Sequence, residues 1–274
     1  MTTLGITGST GHLGGLVATA LASQHPVLIV RDAARAPQLD GTTVRAASYD
    51  DADGARAALS GVDVLFMVSA GESEDRRAVH RTFIAAAAAA GVRHIVYTSF
   101  LGAAVDADFT LGRDHADAEQ AIRESGMQWT FLRDNFYSEM VPLFAGEDGV
   151  VRGPAGDGLF SPVARADVAD VASAVLTDPD AHRSAIYELT GPEAFTMADA
   201  AARVSAVIGR TLTFHDETLA EAYASRRAFT SEQWQLDAWV STYTAIRHGE
   251  VARVSGDVER LTGHPARTIE QAVA

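Results

Sequence analysis

Short β-branched runs alternate with alanine-rich stretches of helical period over the first two thirds of the chain. The pattern predicts strands at Thr3–Thr7, Val27–Arg31, Thr43–Ala46, Val64–Val68, Ile95–Ser99, Trp129–Leu132 and Ile186–Leu189. It predicts helices at His12–Ser23, Asp51–Leu59, Arg76–Ala90, Asp114–Ser125, Asp167–Thr177, Met197–Ile208, Leu219–Phe229, Glu232–His248 and Thr268–Val273. The strands are almost continuously apolar, as strands covered on both faces are. Strand–helix–strand succession implies right-handed crossovers, so the fold class expected is α/β with a doubly wound parallel sheet.

The alternation stops near Thr190. Beyond Gly191-Pro192 the chain reads as mostly helical, with little strand signal past Thr211–Phe214. Residues 1–190 are therefore expected to form the main domain and 191–274 a smaller, mostly helical C-terminal lobe. The loop 141–160 is expected to contribute to the cleft between them.

Composition narrows the chemistry. The 274 residues include no cysteine, and all 22 basic residues are arginine against 36 acidic ones, for a formal net charge of −14. That excludes disulfides, thiolate nucleophiles, Schiff-base lysines and a Walker A loop. The acidic balance argues against nucleic acid and anionic membranes as partners. No apolar run approaches the ~20 residues of a membrane span. Met1–Gly11 has neither a basic region nor a long apolar run, so a cytoplasmic protein is expected. The histidines show no His-x-His or His-Glu-x-x-His spacing, and no metal is expected. Arg76, Arg77 and Arg81 form a small basic cluster on a helix, read as a solvated face or an oligomer contact.

The most informative stretch is Gly8-Ser9-Thr10-Gly11-His12-Leu13-Gly14, between the first strand and the first helix. Gly8 can take a tight turn, Gly11 admits a pyrophosphate close to the backbone, and Gly14 lets the helix pack near the sheet. The free amides at the helix start then face the anion, with roughly 0.3–1 kcal/mol from the helix dipole. The flanking strand and helix separate this segment from an ordinary Gly-rich turn.

The second strand ends in Arg31-Asp32, where an NAD site places a carboxylate. Arg31, with Arg35 one turn on, can grip a 2′-phosphate in a fork worth about 1.5–3 kcal/mol. NADP(H) is therefore the coenzyme expected. Asp32 can point back at the ribose, and the alternative for Arg35 is a solvated charge. Asp50 after the third strand, Ser69 and Ala70 after the fourth, and Thr98 at the end of the fifth complete the expected coenzyme cleft.

Together with Tyr97-Thr98-Ser99, Leu132-Arg133-Asp134-Asn135-Phe136-Tyr137 and Leu261-Thr262-Gly263-His264-Pro265, these segments resemble the NmrA-like atypical short-chain dehydrogenases/reductases. The similarity is greatest to their bacterial quinone and triphenylmethane dye reductases, and it spans essentially the whole chain. The resemblance implies a Rossmann-type NADP(H) domain, with Arg133, Asn135 and Phe136 beside the nicotinamide and Gly153–Arg165 helping to cover the coenzyme. Ser99 stands at the family's serine position. His115-Ala116-Asp117-Ala118-Glu119 replaces the Tyr-x-x-x-Lys pair of the better-known members, as it does in the quinone and dye reductases.

His115 and Glu119 share a helix face. They are candidate catalytic groups with Ser99, His115 as proton donor or substrate orienter. The alternative is that they are a packing residue and a helix-start acid. Phe100, Phe136, Tyr137 and Trp239 are candidates for a flat acceptor pocket; Trp234 and Tyr243 are also aromatic candidates, and lobe packing is the plainer reading for Trp234, Trp239 and Tyr243. Without a Tyr-Lys base the chemistry favours an electrophile such as a quinone over an alcohol. The expected function is hydride transfer from NADPH to a small electrophilic acceptor, by a monomer or homodimer. The alternatives are an NADP(H)-sensing regulator acting through a protein partner, and an isomerase or lyase with tightly held NADP.

Overall fold

In the computed structural model, which describes residues 2–274, seven parallel strands form one sheet. They are β1 (Leu4–Thr7), β2 (Val27–Val30), β3 (Thr43–Ala46), β4 (Val64–Met67), β5 (His94–Phe100), β6 (Gln128–Asp134) and, later in the chain, β9 (Ala185–Leu189). The order across the sheet is β3-β2-β1-β4-β5-β6-β9. The direction of build-up reverses at β1, so a crevice opens between the ends of β1 and β4, where ligands of such sheets bind.

Alternate residues of each central strand feed opposite layers. Leu4, Ile6, Leu28, Val96 and Leu132 pack on α1 (His12–Ala20) and α5 (Arg165–Thr177), through Leu13, Val17, Val168 and Val171. Ile29, Leu65, Met67, Tyr97 and Phe131 pack on α2 (Ala52–Ala58), α3 (Arg76–Ala89) and α4 (Thr110–Glu124), through Leu59, Phe83, Ile84 and Ile122. Both faces are dry, which is why the strands read as unbroken apolar runs.

A third core lies beyond the strand ends. It gathers Phe100, Phe109 and Val141 with Val151 and Phe160 of two short strands, β7 (Val150–Gly153) and β8 (Leu159–Phe160). β10 (Phe195–Thr196) pairs with β8, and β11 (Thr213–Asp216) with β7. α6 (Met197–Ile208), α7 (Leu219–Arg226), α8 (Gln233–Arg247) and α10 (Ile269–Val273) complete the C-terminal part. Capping boxes start three of these helices, at Thr196/Asp199, Thr218/Glu221 and Thr268/Gln271. α9 (Asp257–Thr262), which the sequence pattern does not predict, returns to the sheet and buries Val258 against the α1–α5 layer. Among the described residues no helix is long and apolar enough to cross a membrane.

Asn135 joins the layers. Its side-chain nitrogen lies 2.9 Å from the Ser161 carbonyl, from Ser161 Oγ and from the Val251 carbonyl, while its Oδ1 accepts the Phe136 amide at 2.8 Å. The residue is 1% exposed. Asn135, expected beside the coenzyme, uses its side-chain amide to tie the end of β6 to two distant loops. Asn135→Ala strands buried acceptors and should lower the unfolding free energy by about 2–3 kcal/mol in urea titrations; a loss below about 0.5 kcal/mol would contradict the assignment.

Candidate active site and coenzyme cleft

Gly8 turns the chain at the end of β1 with φ +68°, a left-handed conformation that favours glycine. The Gly11 amide closes the turn on the Gly8 carbonyl at 2.9 Å. A Cβ on Gly14 would collide with that same carbonyl, so α1 sits directly on the strand end. No side chain caps α1, and its first turn holds no acidic residue. Ser9 is 3% exposed, and its Oγ has no partner among the described residues. An uncapped helix start beside an orphaned buried hydroxyl fits a diphosphate. Thr10, Gly11 and His12 are exposed around it, whereas Leu13 points into the core and anchors the helix.

On the adenosine side, Arg31 and Arg35 are exposed and, among the described residues, make no ion pair, although most of the arginines are tied to carboxylates. The Asp32 carboxylate accepts the Ala34 amide at 3.0 Å and is used as a local cap. Asp50 is exposed; its hydrogen bond to Ser48 and, less strongly, the charge of Arg31 hold its carboxyl below the usual range. Beneath them the Tyr49 hydroxyl lies 2.6 Å from Thr7 Oγ1 and donates to the Val68 carbonyl at 2.7 Å. The Tyr49 ring stacks on Phe83 with centroids 4.0 Å apart. This strut between β1 and β4 involves a tyrosine that the motif reading passes over. The next amides along are held as well: Ser69 donates to Thr98 Oγ1 and Ala70 to His80 Nε2, both at 2.8 Å.

Toward β5 and β6 the candidate polar side chains engage one another. Ser99 Oγ donates to Glu119 Oε1 at 2.6 Å. Arg133 grips Glu119 through Nε and Nη2, both at 2.7 Å, and Arg123 adds a contact at 3.1 Å. Glu119 is 1% exposed. This is a buried ion cluster in which Ser99 and Arg133 bind the Glu119 carboxylate and brace α4 against β5 and β6, with the Arg133 side chain one-fifth exposed. His115 is brought to the same helix face, with Nε2 3.1 Å from Arg76 Nη2 and Nδ1 3.0 Å from the Tyr97 hydroxyl. Burial, then the Arg76 charge, push its pKa well below the ordinary histidine value. Both ring nitrogens are thus engaged within the protein.

Phe100, Phe109 and Phe136 meet in the third core, with centroid separations of 4.8, 4.9 and 5.3 Å; Phe100 and Phe109 are buried and Phe136 is half-buried. The His115 ring stacks 6.1 Å from Phe100. Phe109 belongs to the loop before α4, and sequence spacing gave no signal for it. Tyr137 is on the opposite face: it packs against the α1–α5 layer and donates to Asp134 Oδ2 at 2.5 Å. Tyr137, expected in the acceptor pocket, is therefore not brought together with Phe100 and Phe136. Trp239 reaches across from α8, donating to Glu72 on the loop after β4 at 3.1 Å. Tyr243 is buried in the C-terminal core. Among the described residues the one grouping with metal-ligand composition is Asp167, Asp170 and His264, and Arg267 already donates to both carboxylates.

A family model described as NAD(P)H-binding matches residues 8–179. The chain belongs to this NAD(P)H-binding family. Escherichia coli quinone oxidoreductase 2 is 34% identical over 99% of this chain and 97% of its own length. A Streptomyces griseus enzyme, (4-alkanoyl-5-oxo-2,5-dihydrofuran-3-yl)methyl phosphate reductase, is 37% identical over 96% of this chain and 93% of its own. The crystal structure of the E. coli NADPH-dependent quinone oxidoreductase complexed with NADPH superposes with a TM-score of 0.88 at 34% identity, covering 99% of this chain and 98% of that one. These relatives are oxidoreductases, and this chain is an NAD(P)H-dependent oxidoreductase with a Rossmann-type sheet.

Two measurements probe the site. Arg31→Ala should weaken NADPH binding by roughly ten- to hundredfold and NADH binding much less, since only NADPH carries the 2′-phosphate; equal losses in calorimetry would refute the role of Arg31. Asp134 is the second. Burial drives its carboxyl up from 3.8 to about 7, against the opposing bond from Tyr137. The folded protein thus keeps this proton to higher pH than the unfolded chain. The associated stability is complete below the unfolded value and is lost as pH rises through about 7. Asp134→Asn should therefore melt above wild type near pH ~8, with the gap closing toward pH ~5. A pH-independent gap would argue that Asp134 does not titrate there.

Proposed function

We propose that this protein reduces a flat, electron-poor conjugated carbonyl compound, a quinone or a close electronic equivalent, at the expense of NADPH. When bound, NADPH supplies the hydride. The coenzyme-facing residues are those with unspent capacity: the Ser9 hydroxyl and the amides at the start of α1 for the diphosphate, and Arg31 with Arg35 for the 2′-phosphate. Ser69 and Ala70 line the crevice where the backbone meets the adenosine ribose, with Thr98 behind them. On this reading residues 1–190 serve the coenzyme, and 191–274 with loop 141–160 serve the acceptor.

The observation that carries the proposal is the absence of a free base on α4. Glu119 is saturated by Ser99, Arg133 and Arg123, and His115 is held neutral between Arg76 and Tyr97. Alcohol oxidation needs a group to take the hydroxyl proton. A quinone needs none: it is already electrophilic, and water can protonate its reduced anion. What remains for the protein is orientation, and Phe136, half-buried against Phe100 and Phe109, is the aromatic side chain proposed to face the acceptor. The names of the two relatives support the same acceptor class, since a quinone and an alkanoyl dihydrofuranone both present a carbon–carbon double bond conjugated to carbonyl. A cytoplasmic monomer or homodimer acting on small molecules, without nucleic-acid or membrane partners, suits the net charge of −14.

Purified protein should oxidise NADPH with small benzoquinones and naphthoquinones and show no NADP+ reduction with secondary alcohols. The kcat profile should show no histidine ionisation between about pH 5.5 and 8. Alcohol turnover exceeding quinone turnover would overturn the proposal.

A further inference from the structure

Arg76 opens α3 but does not lie on a solvated face, as its neighbours Arg77 and Arg81 do; it is 3% exposed. Its Nε donates to the Ala70 carbonyl at 2.9 Å. Its Nη2 lies 3.1 Å from His115 Nε2. A guanidinium only donates, so Nε2 is the acceptor, and the proton of the neutral ring resides on Nδ1, facing the Tyr97 hydroxyl. The Ala70 amide is held on its other side by His80 Nε2, and the preceding amide by Thr98. Among the described residues Arg76 alone hydrogen-bonds to both this loop and α4. Its Nη1 is buried without a hydrogen bond, and the Asp114 oxygen 3.6 Å away belongs to a carboxylate that Arg77 engages at 2.6 Å.

We propose that Arg76 is a positioning residue that couples the coenzyme loop Ser69–Ala70 to the acceptor side of the cleft, one guanidinium setting the Ala70 peptide and the His115 tautomer together. The inference rests on the reductase reading above. It requires the planar fork of arginine, because a single ammonium nitrogen cannot span the two acceptors. Without the fork, the Ala70 carbonyl is released, the loop is no longer pre-organised for coenzyme, and His115 exchanges between its two neutral forms. The charged and titratable groups around His115 are Arg76 and His80 from α3, Tyr97 from β5, Arg133 from β6, and Asp114 and Glu119 on its own helix. The two carboxylates are engaged by arginines, Asp114 by Arg77 and Glu119 by Arg133, and the ring nitrogens contact Arg76 and Tyr97.

The test uses the full chain labelled with 15N-histidine, as wild type, Arg76→Lys, Arg76→Gln and His115→Ala. Long-range 1H–15N spectra report the tautomer, calorimetry reports NADPH affinity, and thermal melting establishes that each variant is folded. In the wild type His115 should be a single Nδ1–H form throughout about pH 5.5–8. Both Arg76 variants should show mixed tautomers and bind NADPH about tenfold more weakly. His115→Ala keeps the Ala70 bond and should hold its affinity within about twofold. Arg76→Lys retains the buried charge and carries the test if Arg76→Gln does not fold. An Nε2–H tautomer in the wild type, or wild-type NADPH affinity in a folded Arg76 variant, would overturn the proposal. If the wild type itself binds no NADPH, the reductase reading fails, while the tautomer pattern still decides whether Arg76 clamps His115.

Discussion

The closeness of α1 to the end of β1 is the constraint on which the molecule is built. With no side chain at Gly14, the helix rests on the Gly8 carbonyl, and its first turn is delivered to the edge of the sheet with its amides unspent. β1 is also the strand from which the sheet grows both ways, toward β2 and β3 on one side and β4 to β9 on the other. The start of α1, proposed to hold the diphosphate, therefore stands at the switch point, with Arg31 at the end of the neighbouring β2. A methyl group at position 14 would push the helix off this point and misalign both halves.

Polar groups buried around the cleft divide into spent and unspent. Glu119, Arg133, Ser99 and Asn135 use their capacity on one another or on backbone, as buried charges and amides must. The buried Ser9 hydroxyl does not, and the exposed guanidinium groups of Arg31 and Arg35 make no ion pair among the described residues. On the proposed reading the coenzyme side is cationic and donor-rich, and the acceptor side is neutral and aromatic. That division suits chemistry in which one ligand is a polyanion and the other a flat electrophile.

The central strands of the main sheet were legible because they are buried on both faces, so their apolar runs are unbroken; the edge strands β3 and β9 are partly exposed and were legible from their β-branched residues and their place in the alternation. The turn from β1 into α1 was legible because its logic is local, with Gly8 taking the left-handed turn and Gly14 the close helix contact. Other features depend on residues remote in sequence. α4 begins at Thr110 and not near Asp114, because Ser241 and Glu250 supply hydrogen-bond acceptors to the amides of Thr110 and Asp108. α9 contributes a single buried residue, Val258, and so shows no period. β7 lies between Gly149 and Gly153 and reads as loop. Within the site, spacing located the end of β6 but not which way each residue points: Arg133 faces Glu119, Asp134 faces Tyr137, and Asn135 faces Ser161. Arg76 looked like part of a surface cluster because nothing in three neighbouring arginines tells which one is buried.

The most direct test of the account is hydrogen–deuterium exchange of the folded protein with and without NADPH, read at the amides of residues 9–13. The account predicts strong slowing there on adding coenzyme, with a second protected stretch at residues 69–70. Saturating coenzyme that leaves the exchange of residues 9–13 unchanged would contradict it.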